Sequence, residues 1–144
     1  MIKDHNARNR AARERLDALI GRLGERDVVL DDDWTAAALL AHLAFWDRLA
    51  ATRLDKYLRD REPPVATPDA VIDLINAAGI RQWKDTPARV AAAQVRDAAA
   101  GLDRLIETLP TDALAALVAL NRPLLIDRSI HRKEHLDQIE RGVR

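Results

Sequence analysis

Residues 34–58, WTAAALLAHLAFWDRLAATRLDKYL, decide the fold class of this chain. Their apolar residues recur every three or four positions, which is the spacing of a helix that buries one face. This stripe contains Leu39, Leu43, Trp46, Leu49, Ala50, Leu54 and Tyr57. Thr35 or the aspartates at 31–33 can cap the first turn, and the carboxylates suit its positive end. The stretch therefore predicts a long amphipathic helix over residues 35–58.

Three further stretches have the same spacing and similar length. They predict helices over residues 6–23, 87–109 and 123–141. Gly24 is typical of a helix end. Thr86 and Pro87 are typical of a helix start, with the threonine as cap and the proline in the first helical position. Pro110 ends the third long helix.

The connection after the second long helix is itself long. Residues 61–69 contain three prolines and cannot continue a helix. Short helices are predicted over 69–78, ended by Gly79, and over 112–120. Since no stretch alternates with period two, we expect an all-α fold, an antiparallel four-helix bundle with a long crossover connection.

Length and charge limit the class of protein. A chain of 144 residues is the size of one domain, so we expect a single domain over residues 1–144. Lys and Arg together number 23, as do Asp and Glu, and this balance gives no bulk attraction for nucleic acid or an anionic membrane. The longest apolar run is interrupted by His42 and is too short to cross a bilayer. We expect a cytoplasmic protein that binds a small molecule.

The chain offers few nucleophiles of its own. It has no cysteine, which excludes disulfides, thiolate catalysis and cysteine zinc sites. Its one serine, Ser129, lies in a charged helical run rather than in a G-x-S-x-G elbow. Walker and G-x-G-x-x-G phosphate loops are also missing from the sequence.

Three histidines are placed to meet between helices. His42 lies three residues after Leu39 and so shares the buried stripe of the second helix. His131 and His135 are four residues apart, which places both rings on one helix face. Such a pair and a third imidazole from a facing helix can bind one divalent metal ion.

Other interpretations of these histidines stay open. A lone histidine on an apolar stripe is more often a hydrogen-bonded core residue, and spaced pairs also occur on solvated faces. A metal-free bundle with satisfied histidines is therefore an alternative. The remaining histidine, His5, is expected at a frayed terminus and receives no role. The charged residues between the pair, at 132–134, are expected to face solvent.

The segment from His131 to His135 also matches the H-x-x-E-H pattern of inverzincin proteases. That mechanism needs the glutamate as general base and a distant acidic ligand farther along the chain. Only Asp137 and Glu140 follow in this sequence, so we interpret the match as coincidence. H-E-x-x-H is excluded because Arg132 follows the first histidine.

The order of these motifs resembles the DinB/YfiT-like superfamily, which includes the metal-binding domains of mycothiol-dependent maleylpyruvate isomerases and the bacillithiol transferases. The resemblance rests on Trp34-Thr35, His42, Trp46, Leu109-Pro110 and His131-x-x-x-His135-Leu136-x-x-Ile139. It implies an antiparallel four-helix bundle with a long crossover. It also implies a divalent metal, zinc or nickel, bound by His42, His131 and His135.

A three-histidine site leaves one coordination position open, as in catalytic zinc sites. The resemblance therefore implies a metal-dependent thiol transferase, or a hydrolase, with a low-molecular-weight thiol as possible co-substrate. Asp127 and Asp47 are candidate supporting residues, with ordinary salt bridges as the alternative role. The competing class is a non-catalytic, stress-associated metal-binding or interaction protein. A homodimer is also expected, for which the alanine-rich residues 90–100 could allow close helix approach.

Overall fold

Four long helices form a bundle in the computed structural model, which describes residues 4–143. Six α-helices are present in this range: α1 (Asp4–Leu23), α2 (Ala36–Asp60), α3 (Asp69–Trp83), α4 (Ala88–Glu107), α5 (Thr111–Val118) and α6 (Ser129–Gly142). The four that form the bundle are α1, α2, α4 and α6. Within the described residues there is no strand, only an isolated bridge between Val29 and Thr35. The prediction of an all-α fold is confirmed.

Ion pairs between the long helices give their relative directions. Arg10 near the start of α1 binds Glu107 at the end of α4, and Asp17 farther along α1 binds Arg96. The partner's number falls as the α1 number rises, so α1 and α4 are antiparallel. Arg15 of α1 binds Asp137 in the second half of α6. Since the start of α1 meets the residues just before α6, these two helices are parallel.

The connection between α2 and α4 crosses the full length of the bundle. His42 contacts His135, whereas Asp47, farther along α2, contacts Arg132, so α2 and α6 are antiparallel. It follows that α2 and α4 are parallel, and a tight turn cannot join parallel neighbours. Residues 61–87 make the crossover and include α3, which packs on α2. The predicted long crossover is confirmed.

Small side chains allow the two central helices to pack closely. Alanines on α2 and α4 are buried where these helices meet, and leucines and isoleucines from all four long helices fill the remaining space. Representative fully buried members are Leu16, Leu43, Leu54, Leu102, Ile106, Leu136 and Ile139. This apolar core fixes the relative positions of α2 and α6, which carry the three histidines.

Helix starts agree with the sequence at α2 and differ at α4. The Thr35 hydroxyl accepts a hydrogen bond from the Ala38 amide at 3.0 Å, so Thr35 rather than an aspartate is the cap of α2, one of the two alternatives that the sequence left open. At α4 the cap position belongs to Pro87, and the Thr86 hydroxyl instead donates to the Gln82 carbonyl. The prediction of a threonine cap at this helix is wrong because the hydroxyl bonds back to the preceding helix.

Gly79 does not end α3, contrary to the sequence prediction. The helix continues to Trp83, whose indole ring lies against the Gly79 backbone. A Cβ at this position would lie 2.4 Å from the ring, so only glycine leaves room for it. The glycine therefore makes space for a buried tryptophan rather than a turn.

The last long helix begins at Ser129, later than predicted from Pro123. Residues 123–125 form one 3-10 turn, and the chain then breaks before α6. The cause is Asn9 of α1: its side chain donates to the Ile126 carbonyl at 2.8 Å and accepts from the Arg128 amide at 2.7 Å. These bonds replace the helical ones that a continuous helix would form there.

Candidate metal centre

Three imidazoles from two helices meet at one point. His42 of α2 and His131 and His135 of α6 have ring nitrogens that all lie within 4.8 Å of one another. His135 Nε2 is 3.1 Å from His42 Nε2 and 3.0 Å from His131 Nε2. The structure therefore brings together the three predicted ligands.

The spacing of the nitrogens fits a single metal ion. Zinc binds imidazole nitrogen at about 2.0–2.1 Å, and two such ligands at a tetrahedral ion therefore lie about 3.3–3.4 Å apart. The two Nε2–Nε2 distances from His135, 3.1 and 3.0 Å, are close to that value. The donor type also fits, since imidazole nitrogens bind zinc, nickel and copper in preference to hard cations such as magnesium and calcium.

Hydrogen bonding directs one lone pair toward the centre of the cluster. His135 Nδ1 lies 2.5 Å from the side-chain oxygen of Gln138, so it donates its proton there. Its Nε2 is then an acceptor facing two other Nε2 atoms. His42 Nδ1 and His131 Nδ1 are buried and have no hydrogen-bond partner among the described residues. A cation at the three Nε2 atoms would bind their lone pairs, and the Nδ1 atoms of His42 and His131 would then each carry a proton.

Burial keeps the three rings neutral. It lowers the pKa of His42 to about 3, and the nearby His135 adds to this effect. Burial also lowers the pKa of His131 to about 2, with further contributions from His135 and the Arg128 charge. The pKa of His135 is lowered by burial as well. Neutral imidazole is the form that binds metal, so the ligands need no deprotonation near neutral pH.

Tryptophans form an apolar wall around His42. Its ring makes edge contacts with Trp34, Trp46 and Trp83, at centroid distances of 5.5, 6.4 and 5.2 Å. The Trp46 indole donates to Asn76 of α3 at 2.9 Å, which connects the crossover to this wall. These are the only three tryptophans in the chain. They leave His42 only 5% exposed and hold its ring in place.

The cluster opens on one side into a large cavity. Its volume is about 1020 Å³, and all three histidines line it. The crossover supplies Thr67, Ile72 and Asn76, while Leu124 and Ile130 line it from the region around the start of α6. A cavity of this size accepts a small organic molecule directly beside the imidazoles.

A buried arginine fixes the helix that carries two of the histidines. Arg132 is 1% exposed, and its guanidinium lies 3.0 Å from Asp47 of α2 and 2.8 Å from Asp103 of α4. It also donates to the Asn9 carbonyl of α1. The expectation that Arg132 faces solvent is therefore wrong, because it lies on a neighbouring face of α6, about a quarter-turn from the two histidines, and enters the core.

The two candidate supporting aspartates form ion pairs with arginine. Asp47 accepts from Arg128 at 3.1 Å as well as from Arg132. Asp127 precedes α6 rather than sharing its face with His131, and it accepts from Arg8 and Ser129.

The expectation of a frayed end at His5 is wrong, since His5 is buried in the first turn of α1.

The chain matches a family model built from known proteins. The family model described as the mycothiol maleylpyruvate isomerase N-terminal domain matches residues 9–130. The matched range includes His42 and stops one residue before His131. No curated protein and no solved structure gives a significant match.

The helices of residues 4–143 include none with the length and apolar content that a membrane span requires.

Proposed function

This chain belongs to the mycothiol maleylpyruvate isomerase N-terminal domain family of the DinB-like superfamily, and on that basis we propose that it is a metal-dependent enzyme. The reaction we propose is transfer of a small-molecule thiol to an electrophile, or hydrolysis of such an electrophile. The observation that carries the proposal is the convergence of three neutral imidazoles at the wall of a cavity of about 1020 Å³.

The chain's own residues hold and orient the metal ligands. His42, His131 and His135 would bind a divalent ion, and Gln138 holds the His135 ring with Nε2 facing inward. Such an ion with an open coordination position lowers the pKa of a bound water or thiol. Trp83 covers His42 away from the cavity, while Trp34 and Trp46 line the cavity through which the substrate would reach the histidines.

We propose that the attacking group comes from outside the chain. Cysteine is absent from the sequence, and the only serine hydroxyl, that of Ser129, donates to Asp127 at 2.5 Å. Ser129 does not line the cavity. A low-molecular-weight thiol or a water molecule is the nucleophile that we propose, and a thiol agrees with the mycothiol in the family's description.

We expect zinc- or nickel-loaded protein to accelerate the reaction of a low-molecular-weight thiol with a small electrophile. His131→Ala should reduce turnover by about a hundredfold or more, since ligand loss exceeds the effect of losing a supporting residue. A panel of thiols with a chloro-dinitro arene and maleyl acids, and of simple esters and amides without added thiol, measures this.

Lys133→Ala is the matched control, because Lys133 is an exposed residue of the same helix that lies outside the cavity. It should keep full turnover, and both variants should keep their helical circular dichroism. Equal turnover by metal-free and metal-loaded protein would contradict the proposal. Metal binding without turnover on any member of the panel would favour a non-catalytic metal-binding protein instead.

A further inference from the structure

Four arginines line the same cavity as the histidines. One is Arg141 near the end of α6, and the other three come from separate parts of the chain. Arg53 comes from the second half of α2, Arg122 from the turn after α5, and Arg128 from the residue before α6. Arg128 is three positions before His131, and its charge contributes to lowering the pKa of that histidine. Arg128 therefore places positive charge close to the metal centre, and Arg53 and Arg122 extend the cationic part of the same cavity wall.

Two of these arginines have no ion-pair partner. Within the described residues, no carboxylate lies within 4 Å of Arg53 or Arg122. The third, Arg128, shares Asp47 with Arg132, so one carboxylate serves two guanidinium groups. The acidic residues on the cavity wall pair with none of the three arginines; they are Asp31, Asp32 and Glu134.

The unpaired arginines also keep unused hydrogen-bond donors. Arg53 donates to the Thr67 hydroxyl, and Arg122 donates to the Pro64 carbonyl. A guanidinium has five N–H donors, so most of those on each group remain available. Both side chains are half-buried, which makes unpaired charge costly and ion pairing correspondingly favourable.

We propose that Arg53, Arg122 and Arg128 form a subsite for the oxyanion group, a carboxylate or a phosphate, of a small molecule held in the cavity. The guanidinium fork matches such groups in shape and charge. This proposal rests on the proposed function only where it says that the substrate of that reaction is an anion. Binding of an anion to the subsite can be measured without metal and without turnover.

Mutual repulsion of the arginines supports an anionic ligand. Burial lowers the pKa of Arg53, and the charges of Arg122 and Arg128 lower it further. A bound oxyanion would relieve that repulsion, whereas a neutral or cationic ligand would not. A divalent ion on three neutral imidazoles would add positive charge beside the same cavity.

The structural alternative is that these arginines only hold the crossover in place. Their hydrogen bonds to Thr67 and Pro64 do connect α2 and the turn after α5 to residues 61–68. Thr67→Val tests that role alone, because it removes the hydrogen-bond partner of Arg53 and leaves the charge. If the arginines bind an anion, this variant should bind it as the unchanged protein does.

The test is calorimetric titration of succinate and of inorganic phosphate into the full chain, freed of metal by chelation, at low ionic strength. Arg53→Gln and Arg122→Gln should each weaken binding by about tenfold or more, as expected for a lost charged hydrogen bond. Arg48→Gln is the matched control, since Arg48 is exposed on the same helix and outside the cavity. It should leave the affinity unchanged.

Weaker binding in both arginine variants, with Arg48→Gln and Thr67→Val unaffected, supports the subsite. Whether succinate or phosphate binds more tightly then identifies the oxyanion. The proposal is overturned if neither probe binds, or if all variants bind alike. It is also overturned if the probes bind only metal-loaded protein and Arg53→Gln has no effect. A negative turnover panel with intact anion binding would reject the proposed reaction and leave the subsite standing.

Discussion

Replacing His42 or His135 by alanine is expected to weaken zinc binding by about a hundredfold or more. Each change removes one of three converging nitrogens, and loss even of a residue that only orients a ligand weakens binding by about 10–100-fold. The two helices would still be held together by the Arg132 ion pairs, so the fold should survive. Competition with a chromophoric chelator measures the affinity, and elemental analysis measures the stoichiometry.

His5→Ala is the control for this experiment. His5 is the remaining histidine of the chain, buried in α1 outside the cluster, so its removal tests for a general effect of losing an imidazole. It should leave one zinc ion per chain at the unchanged affinity. Equal zinc affinity in the His42 and His135 variants and the unchanged protein would contradict the assignment of the ligands.

Arg132→Ala is expected to lower the free energy of unfolding by about 3–5 kcal/mol, because removing one partner of a buried ion pair leaves uncompensated charge behind. Here two buried carboxylates, Asp47 and Asp103, each lose one of their two arginine partners, and each is only 1% exposed. Arg128 and Arg13 remain near them and offset part of the loss. Urea denaturation at neutral pH measures the change.

Lys133→Ala gives the matched comparison for Arg132→Ala. Lys133 is the next residue of α6, and its amino group pairs with Asp137 on the surface. Exposed pairs of this kind contribute little to the free energy of unfolding. An unfolding free energy for Arg132→Ala equal to that of Lys133→Ala would show that the buried ion pairs do not stabilise the bundle.

Periodicity predicted the parts of this protein that depend on neighbours in sequence. The stripe containing Leu39 and Trp46 placed His42 on the inward face of its helix, and the four-residue spacing placed His131 and His135 on one face. The prolines after α2 predicted the crossover. These features follow from helix geometry alone, so one sequence was enough to find the fold and the three imidazoles.

Features set by contacts distant in sequence were predicted wrongly or missed. Asn9 sets the start of α6 through bonds to residues more than 110 positions away, which no local pattern indicates. A charged residue such as Arg132 is expected to face solvent when only its own helix is considered. Its carboxylate partners, Asp47 and Asp103, lie on two other helices. The arginines of the cavity were missed for the same reason.

Gly79 shows a different limit of local patterns. A glycine after an apolar run is typical of a helix end, yet here the helix continues past it. The missing side chain makes room for Trp83, which packs against His42. A glycine after an apolar run can thus either end a helix or make room for a neighbouring side chain, and the packing partner decides which.

The central claim is that one divalent ion binds to three imidazoles and keeps a position open for an exogenous ligand. X-ray absorption spectroscopy of the zinc-loaded protein tests this most directly. The predicted spectrum has three imidazole nitrogens at about 2.0–2.1 Å and one light-atom ligand, and an added thiol replaces the latter with sulfur at about 2.3 Å. A spectrum with fewer than three imidazoles, or one that the thiol and the His42→Ala substitution leave unchanged, would contradict the claim.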